Sequence, residues 1–328
     1  MLSVYCLAPT GLKLLERNSN APLPEEAVWL DLLEPTVEEE KLVEQRLGLD
    51  IPTREEMRDI ESSSRLYEED GALYLTATVV TRLDTQLPEN AQITFILRGA
   101  RLVTNRYVDP LPIRRFIGYV ERHPQANTTA QAVLAGLLES IVERIADVIE
   151  RVSGDIDTAS GSVFSHRAVT GAKKSRASQR DFRKVLEVIG QSGELIAKAR
   201  ESLASLSRLL AFVQQSQLAM PQDVRTRLRT LSHDVVAMSD HAGFLGTNLN
   251  FILDATLGMI NIDQNNILKI FSVVTVFLLP PSVIGAVFGM NFERIPGSHE
   301  HWGFWGALGL MALSSVLPYL WFRRKGWL

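Results

Sequence analysis

The chain carries one cysteine, Cys6, in 328 residues. A single thiol excludes a disulfide framework and any metal site built from several cysteines. An excess of basic charge is missing as well: 34 Lys and Arg stand against 38 Asp and Glu, a net charge of −4. That balance gives nucleic acid no electrostatic footing, and none is expected as a partner. Enzymatic signatures are also absent. There is no glycine-rich phosphate loop, no Gly-x-Ser-x-Gly elbow and no His-Glu-x-x-His pair, so no catalytic residues and no enzyme are expected. The most telling absence is local. From Ile270 to Phe288 nineteen residues pass without a charge, and from Trp302 to Phe322 there is again none.

Each uncharged run is about long enough, at some 20 residues, to cross a hydrocarbon core as a helix. Only Phe292 to His301 separate them, too few for a folded domain, so the pair reads as a helical hairpin across a bilayer. The first run is uneven. Ser272, Thr275, Leu279, Ser282, Ala286 and Gly289 recur at steps of three and four and share one helical face. Two readings fit such a stripe: close helix packing through small residues, or the wall of a water-filled path. Periodicity does not choose between them. Pro280 and Pro281 must break the backbone ladder, and the carbonyls they free need partners or water.

Before the runs the chain changes character once. Residues 1–127 read as mixed α/β, with strands over Leu2–Leu7, Leu12–Leu15, Val28–Leu32, Leu73–Arg82, Gln92–Leu97 and Arg101–Arg106. Capping patterns at Thr36 and Thr53 start two helices. Residues 128–220 hold antiparallel amphipathic helices, Ala130–Val163 and Arg180–Val213, joined by the small, basic segment Ser165–Gln179 as a turn or loop. Residues 221–291 form a stalk helix that continues into the first span, 270–288; from Pro221 to Val287 it extends roughly 100 Å. Gly243, Gly246 and Gly258 are its weak points. Residues 292–301 make the outer loop, 302–322 the second span and 323–328 a basic tail. The first twenty residues lack the basic start and apolar core of a secretory signal. Lys269, Arg323, Arg324 and Lys325 favour the inner side. Both termini are therefore expected in the cytoplasm, with the protein in the cytoplasmic (inner) membrane. The fold class is an α+β cytoplasmic domain with long stalk helices followed by a two-helix transmembrane hairpin.

Metal ligands of the ordinary kind are scattered. His233-Asp234 and Asp240-His241 stand seven apart near one helical face and suit either a metal site or a solvated, subunit-facing stripe. In the outer loop His299, Glu300 and His301 are better placed to meet ions, although a plain solvated loop accounts for them too.

Gly289-Met290-Asn291 follows the first span directly, with Phe292 and Glu293 behind it. This passage resembles the signature of the CorA family of divalent-cation transport proteins. The resemblance extends to the two closely spaced C-terminal spans, the opening Trp302-Gly303-Phe304 and the basic tail ending Trp327-Leu328. Trp29-Leu30-Asp31-Leu32 before Pro35 is similar to the family's first strand–helix passage, and a buried aromatic beside a helix cap explains it equally well. Ile295-Pro296-Gly297 looks like the zinc-transporting, ZntB-like branch.

The resemblance implies a homopentamer in which first spans line a central pore and long helices form a funnel beneath it. It makes Gly289, Met290 and Asn291 the selectivity filter, with Asn291 the outer ring meeting the hydrated ion. Asn265, Leu268, Phe271, Thr275, Leu279 and Ser282 line the path, and Asp254 stands at the inner end. Glu293, His299 and His301 are the candidates for ion capture outside. The expected cargo is magnesium, with cobalt or nickel. No cofactor is implied beyond magnesium itself, which also regulates by bridging carboxylates that no motif marks. A zinc transporter of the ZntB-like branch, proton-coupled, and a non-transporting membrane scaffold or sensor are the other readings.

Overall fold

The computed structural model describes residues 1–15, 23–59, 61–82, 88–165, 175–216, 218–290 and 302–325. They fall into two compact units, Met1–Leu253 and Asp254–Leu328.

In the first unit, β1 (Leu2–Ala8), β2 (Gly11–Leu15), β3 (Ala27–Leu33), β4 (Leu66–Glu69), β5 (Ala72–Thr81), β6 (Glu89–Arg98) and β7 (Arg101–Arg106) form one sheet ordered β2-β1-β3-β7-β6-β5-β4. Every pairing is antiparallel except β3 with β7. Strand alternation gives each face its own core. Leu30, Leu32, Tyr74, Ile96 and Val103 pack with Val43 of α1 (Val37–Leu47) on one side. On the other, Trp29 stacks on Tyr5 and meets Phe116 edge-on. Phe116 belongs to α3 (Leu111–Arg122), which follows the short α2 (Ser62–Arg65) in the chain.

The expected Thr36 cap is present in full: its hydroxyl accepts from the Glu39 N–H, and the Glu39 carboxylate accepts from the Thr36 N–H. Thr53 and Glu56 make the same reciprocal bonds, but they start only a single 3-10 turn, Glu56–Arg58, instead of a helix. Strand β4 and helix α3 have no counterpart in the sequence expectations.

Sequence reading also missed a polar cluster inside the sheet. Asp31 of β3 pairs with Arg106 of β7 through two bonds of 2.8 and 3.0 Å, both side chains 3% exposed. Thr104 donates to Asp31 at 2.6 Å and accepts from the Trp29 indole at 3.1 Å. Burial works against the Arg106 charge, but the bonds and field of Asp31, with Asp109, outweigh it and raise the pKa.

Helices α4 (Ala130–Ser165) and α5 (Ser175–Gln215) pack on each other and on the sheet. The expected loop 165–179 is shorter at both ends, since Ser165 closes α4 and Ser175 to Gln179 lie in α5; residues 166–174 lie outside the described residues. Helix α5 docks on β5 through hydroxyls. Strand β4 covers β5 only as far as Leu75. Three residues on, the Thr78 N–H donates to Ser205 at 3.0 Å and its carbonyl accepts from Ser202 at 2.6 Å.

Helix α6 (Gln222–Phe288) begins in this unit, and its Val224, Leu228, Leu231, Val235, Ala242, Leu245, Leu249 and Ile252 are buried at three-to-four spacing. Gly193 of α5 lets Leu249 close in, for a Cβ there would stand 3.1 Å from its methyl. The helix runs unbroken through Gly243, Gly246 and Gly258. Arg227 on its second turn holds Glu139 of α4 in a two-point bond of 2.6 and 2.9 Å. The bond to Glu139 outweighs burial and raises the Arg227 pKa.

The second unit contains the rest of α6 and helix α7 (Gly303–Arg324). Both helices are long and apolar enough to span a bilayer, and none of either apolar window is buried. Phe271, Phe304 and Trp305 are 66, 70 and 72% exposed. Water does not tolerate so wide an apolar surface, whereas lipid and neighbouring chains do. Aromatics mark both ends of α7, Trp302, Phe304 and Trp305 at one and Tyr319 and Trp321 at the other, as interfaces favour. Lys325 lies 4.8 Å over the Trp321 ring.

Candidate functional site

The two spans meet along one face of each. On α7 the covered positions are Gly303, Ala307, Met311, Ser314, Ser315, Pro318 and Phe322, one face at steps of three and four. On the span of α6 they are Val273, Pro280, Pro281, Ile284 and Gly285. Gly285 leaves room for Met311, for a Cβ built there would stand only 3.0 Å from the Met311 methyl. Ser315 donates across to the Phe277 carbonyl at 3.2 Å.

Ser272, Thr275, Leu279, Ser282 and Ala286 are all exposed and take no part in that contact. At 3.6 residues per turn, the centres of stripe and contact face stand roughly 170° apart around the helix. Packing within the hairpin therefore does not account for the small and hydroxyl residues. Extended toward the start of the unit, the same face takes in Phe271, Leu268, Asn265 and Asp254, every one exposed in the single chain. The residues expected to line a path are brought onto one side of one helix.

Their chemistry suits a cation's water shell. Thr275 and Ser282 donate their hydroxyl hydrogens to the carbonyls of Phe271 and Leu278, both at 2.8 Å. A hydroxyl has one hydrogen and two lone pairs. With the hydrogen used on the helix, oxygen lone pairs are what the stripe offers outward. Leu279 and Leu268, 59 and 61% exposed, interrupt it with apolar bands.

Helix α6 ends at the motif. Gly289 donates to Gly285 and Ala286 at 2.9 and 3.2 Å, and Met290 to Val287 at 3.4 Å, a tightening final turn. A side chain on Gly289 would press its Cβ to 3.1 Å from the Gly285 carbonyl oxygen. Met290 is 46% exposed. Asn291, Glu293, His299 and His301 lie outside the described residues, as does the Ile295-Pro296-Gly297 loop.

The other candidate does not assemble within the chain. His233, Asp234, Asp240 and His241 are exposed on α6, and His241 stacks on Phe244. Among the described residues no three His, Cys, Asp or Glu side chains come together as a metal cluster. The residue that sequence reasoning missed in the spans is Ser315. Its signal was legible: a hydroxyl pair, Ser314-Ser315, in an apolar run that must lie beside the carbonyls freed by two prolines.

Comparison with known proteins follows the same outline. Residues 24–324 match the family model of the CorA-like Mg2+ transporter protein. The magnesium transport protein CorA of Pasteurella multocida is 32% identical over 330 residues, covering 100% of both chains. That of Escherichia coli K12 is 31% identical over 328 residues, again covering 100% of each. Among solved structures, the complete CorA magnesium transporter of Methanocaldococcus jannaschii superimposes with a TM-score of 0.77 at 18% identity, covering 100% of this chain and 99% of its own.

Proposed function

The chain belongs to the CorA family of Mg2+ transporters, and from that premise we propose that it carries magnesium across the cytoplasmic membrane along the exposed stripe of α6. One observation carries the reading. The stripe lies opposite the face that α7 covers, with its hydroxyl hydrogens already spent and its oxygens outward. In a homo-oligomer, on the family's pattern a pentamer, the stripes face a common axis and become the wall of a wet path. Thr275, Leu279 and Ser282 stand along the span, Phe271, Leu268 and Asn265 below it, and Asp254 at the inner end. Magnesium dehydrates reluctantly. A ring of Asn291 carboxamides, uncharged and rich in acceptors, holds the hydrated ion through its waters and releases it. Met290 and Gly289 place that ring at the end of the helix.

The basic residues Lys269, Arg323, Arg324 and Lys325 support an orientation with both termini and residues 1–253 inside. Residues 1–127 and 128–220 are then cytoplasmic. Cobalt and nickel, which share the octahedral aquo geometry, are further cargo, and intracellular magnesium closes the path by bridging carboxylates.

The test is flux. Purified protein in liposomes loaded with a magnesium-sensitive dye should take up Mg2+, and Asn291→Ala should assemble normally and lose selective divalent uptake. Wild-type uptake by a correctly assembled Asn291→Ala protein would sink the filter assignment. Uptake of zinc but not magnesium, driven by a pH gradient, would favour the zinc-transporting reading. No flux of any cation would leave a membrane scaffold.

A further inference from the structure

We propose that Ser315, on the second span, is a positioning residue for the stripe on the first. In an α-helix the carbonyl of residue i accepts from the N–H of residue i+4. Pro281 has no N–H, so the Phe277 carbonyl loses its natural donor, and a lone carbonyl in hydrocarbon is costly. That is the carbonyl to which Ser315 donates, at 3.2 Å, from the neighbouring helix. The hydroxyls of Thr275, Ser282 and Ser314 bond back to their own helices, on Phe271, Leu278 and Met311. Ser315 alone among these four reaches across.

A second contact, Gly285 against Met311, lies two turns further along α6. The two contacts bracket Pro280-Pro281. Between them the helix has lost backbone bonds that would fix its direction, so α7 sets it instead. Stripe residues before the prolines, Thr275 and Leu279, and those after, Ser282 and Ala286, stay in line because Ser315 holds the turn between them. The function of this clasp rests on the transport reading; its existence does not.

A double-mutant cycle separates the two. Pro281→Ala restores the missing N–H and should make the serine redundant. In the full-length protein, Ser315→Ala should lower the melting midpoint of the assembled protein and cut Mg2+ uptake into liposomes at least threefold, while Ser315→Thr, which keeps the hydroxyl, retains both. In the Pro281→Ala background Ser315→Ala should change neither. Alignment has its own readout. In a Cys6→Ser background, Ser315→Ala should change the rate at which Ser282→Cys reacts with a small charged thiol reagent, relative to Thr275→Cys. Equal losses from Ser315→Ala with and without Pro281 would overturn the clasp, as would a Ser315→Ala protein indistinguishable from wild type. An unchanged ratio of the two thiol rates would overturn its positioning role. Should the wild-type protein pass no magnesium, the melting arm of the cycle still decides the clasp, and only the transport reading falls.

Discussion

At the scale of single residues, the most exacting commitments lie in the sheet. Asp31 and Arg106 are two buried charges that satisfy one another, with Thr104 filling a remaining lone pair. Removing Asp31 leaves the buried Arg106 with only the part-exposed Asp109 and the Val108 carbonyl, and breaking a buried pair in this way costs up to about 3–5 kcal/mol. Asp31→Ala should therefore lower unfolding stability by that order, followed by the fluorescence of nearby Trp29; a loss below about 1 kcal/mol would mean that Asp109 alone satisfies Arg106. Glu39 makes a second, pH-dependent commitment. Burial opposes its charge, but the Met1 ammonium at 2.9 Å and the N–H groups of Thr36 and Leu2 outweigh burial and lower its pKa below the ordinary 4.5. A depressed carboxylate pKa stabilises the fold above the ordinary value, and that contribution fades as pH falls through the lowered one. Glu39→Gln should thus cost stability at neutral pH and flatten the profile below about pH 4.5. A variant whose acid limb matches wild type would place the proton elsewhere.

Among the elements, α6 has two faces along its span, one under α7 and one exposed, and each leaves a different trace in the sequence. Its stripe predicts a pattern of access. In a Cys6→Ser background, cysteines at Thr275 and Ser282 should react with small water-soluble thiol reagents, whereas cysteines at Val273 and Ile284, under α7, should not. Protection of all four would mean a dry interface between copies. The long helices were legible because apolar residues repeat every three to four positions within α4, α5 and the start of α6, and the capping box at Thr36 states the start of α1, whereas the same pattern at Thr53 promised a helix and delivered one 3-10 turn. What stayed hidden depends on partners far along the chain. Strand β4 is four residues with two glutamates, too short and polar to announce itself, and it exists because β5 offers it an edge. Helix α3 is the exception, since Ile113, Phe116 and Val120 recur at steps of three and four behind Pro112, a local signal that needs no distant partner. Asp31 and Arg106 lie 75 residues apart, and nothing local says that they meet. The stripe itself was readable, but the sequence did not say that α7 covers the opposite side, which removes packing within the hairpin as its cause.

For the whole molecule, the proposed path would meet the environment at the segment after α6. Glu293 lies two residues beyond Asn291 in the sequence, so in the proposed oligomer several copies would set a negative rim there, partly offset by Arg294 beside each. Exposed charges raise the local cation concentration, and salt screens them over about 8 Å at physiological ionic strength. Glu293→Gln should reduce Mg2+ uptake at low external cation and low salt, with little loss at saturation; an equal loss at saturating magnesium would make Glu293 a ligand of the path. The molecule is also made in an order, and there the hydroxyls of Ser202 and Ser205 acquire another meaning. The half of β5 that β4 leaves bare is a ready template for a strand of another nascent chain. Its cover is encoded 127 residues later, at Ser205. At about 5–20 residues per second of synthesis, that edge stays open for roughly 6–25 s. For this interval Arg65 reaches the Thr78 hydroxyl, but the Thr78 N–H and carbonyl that Ser205 and Ser202 later bond stay open, so on crowded polysomes the helix that docks on this edge also withdraws it from pairing with other chains.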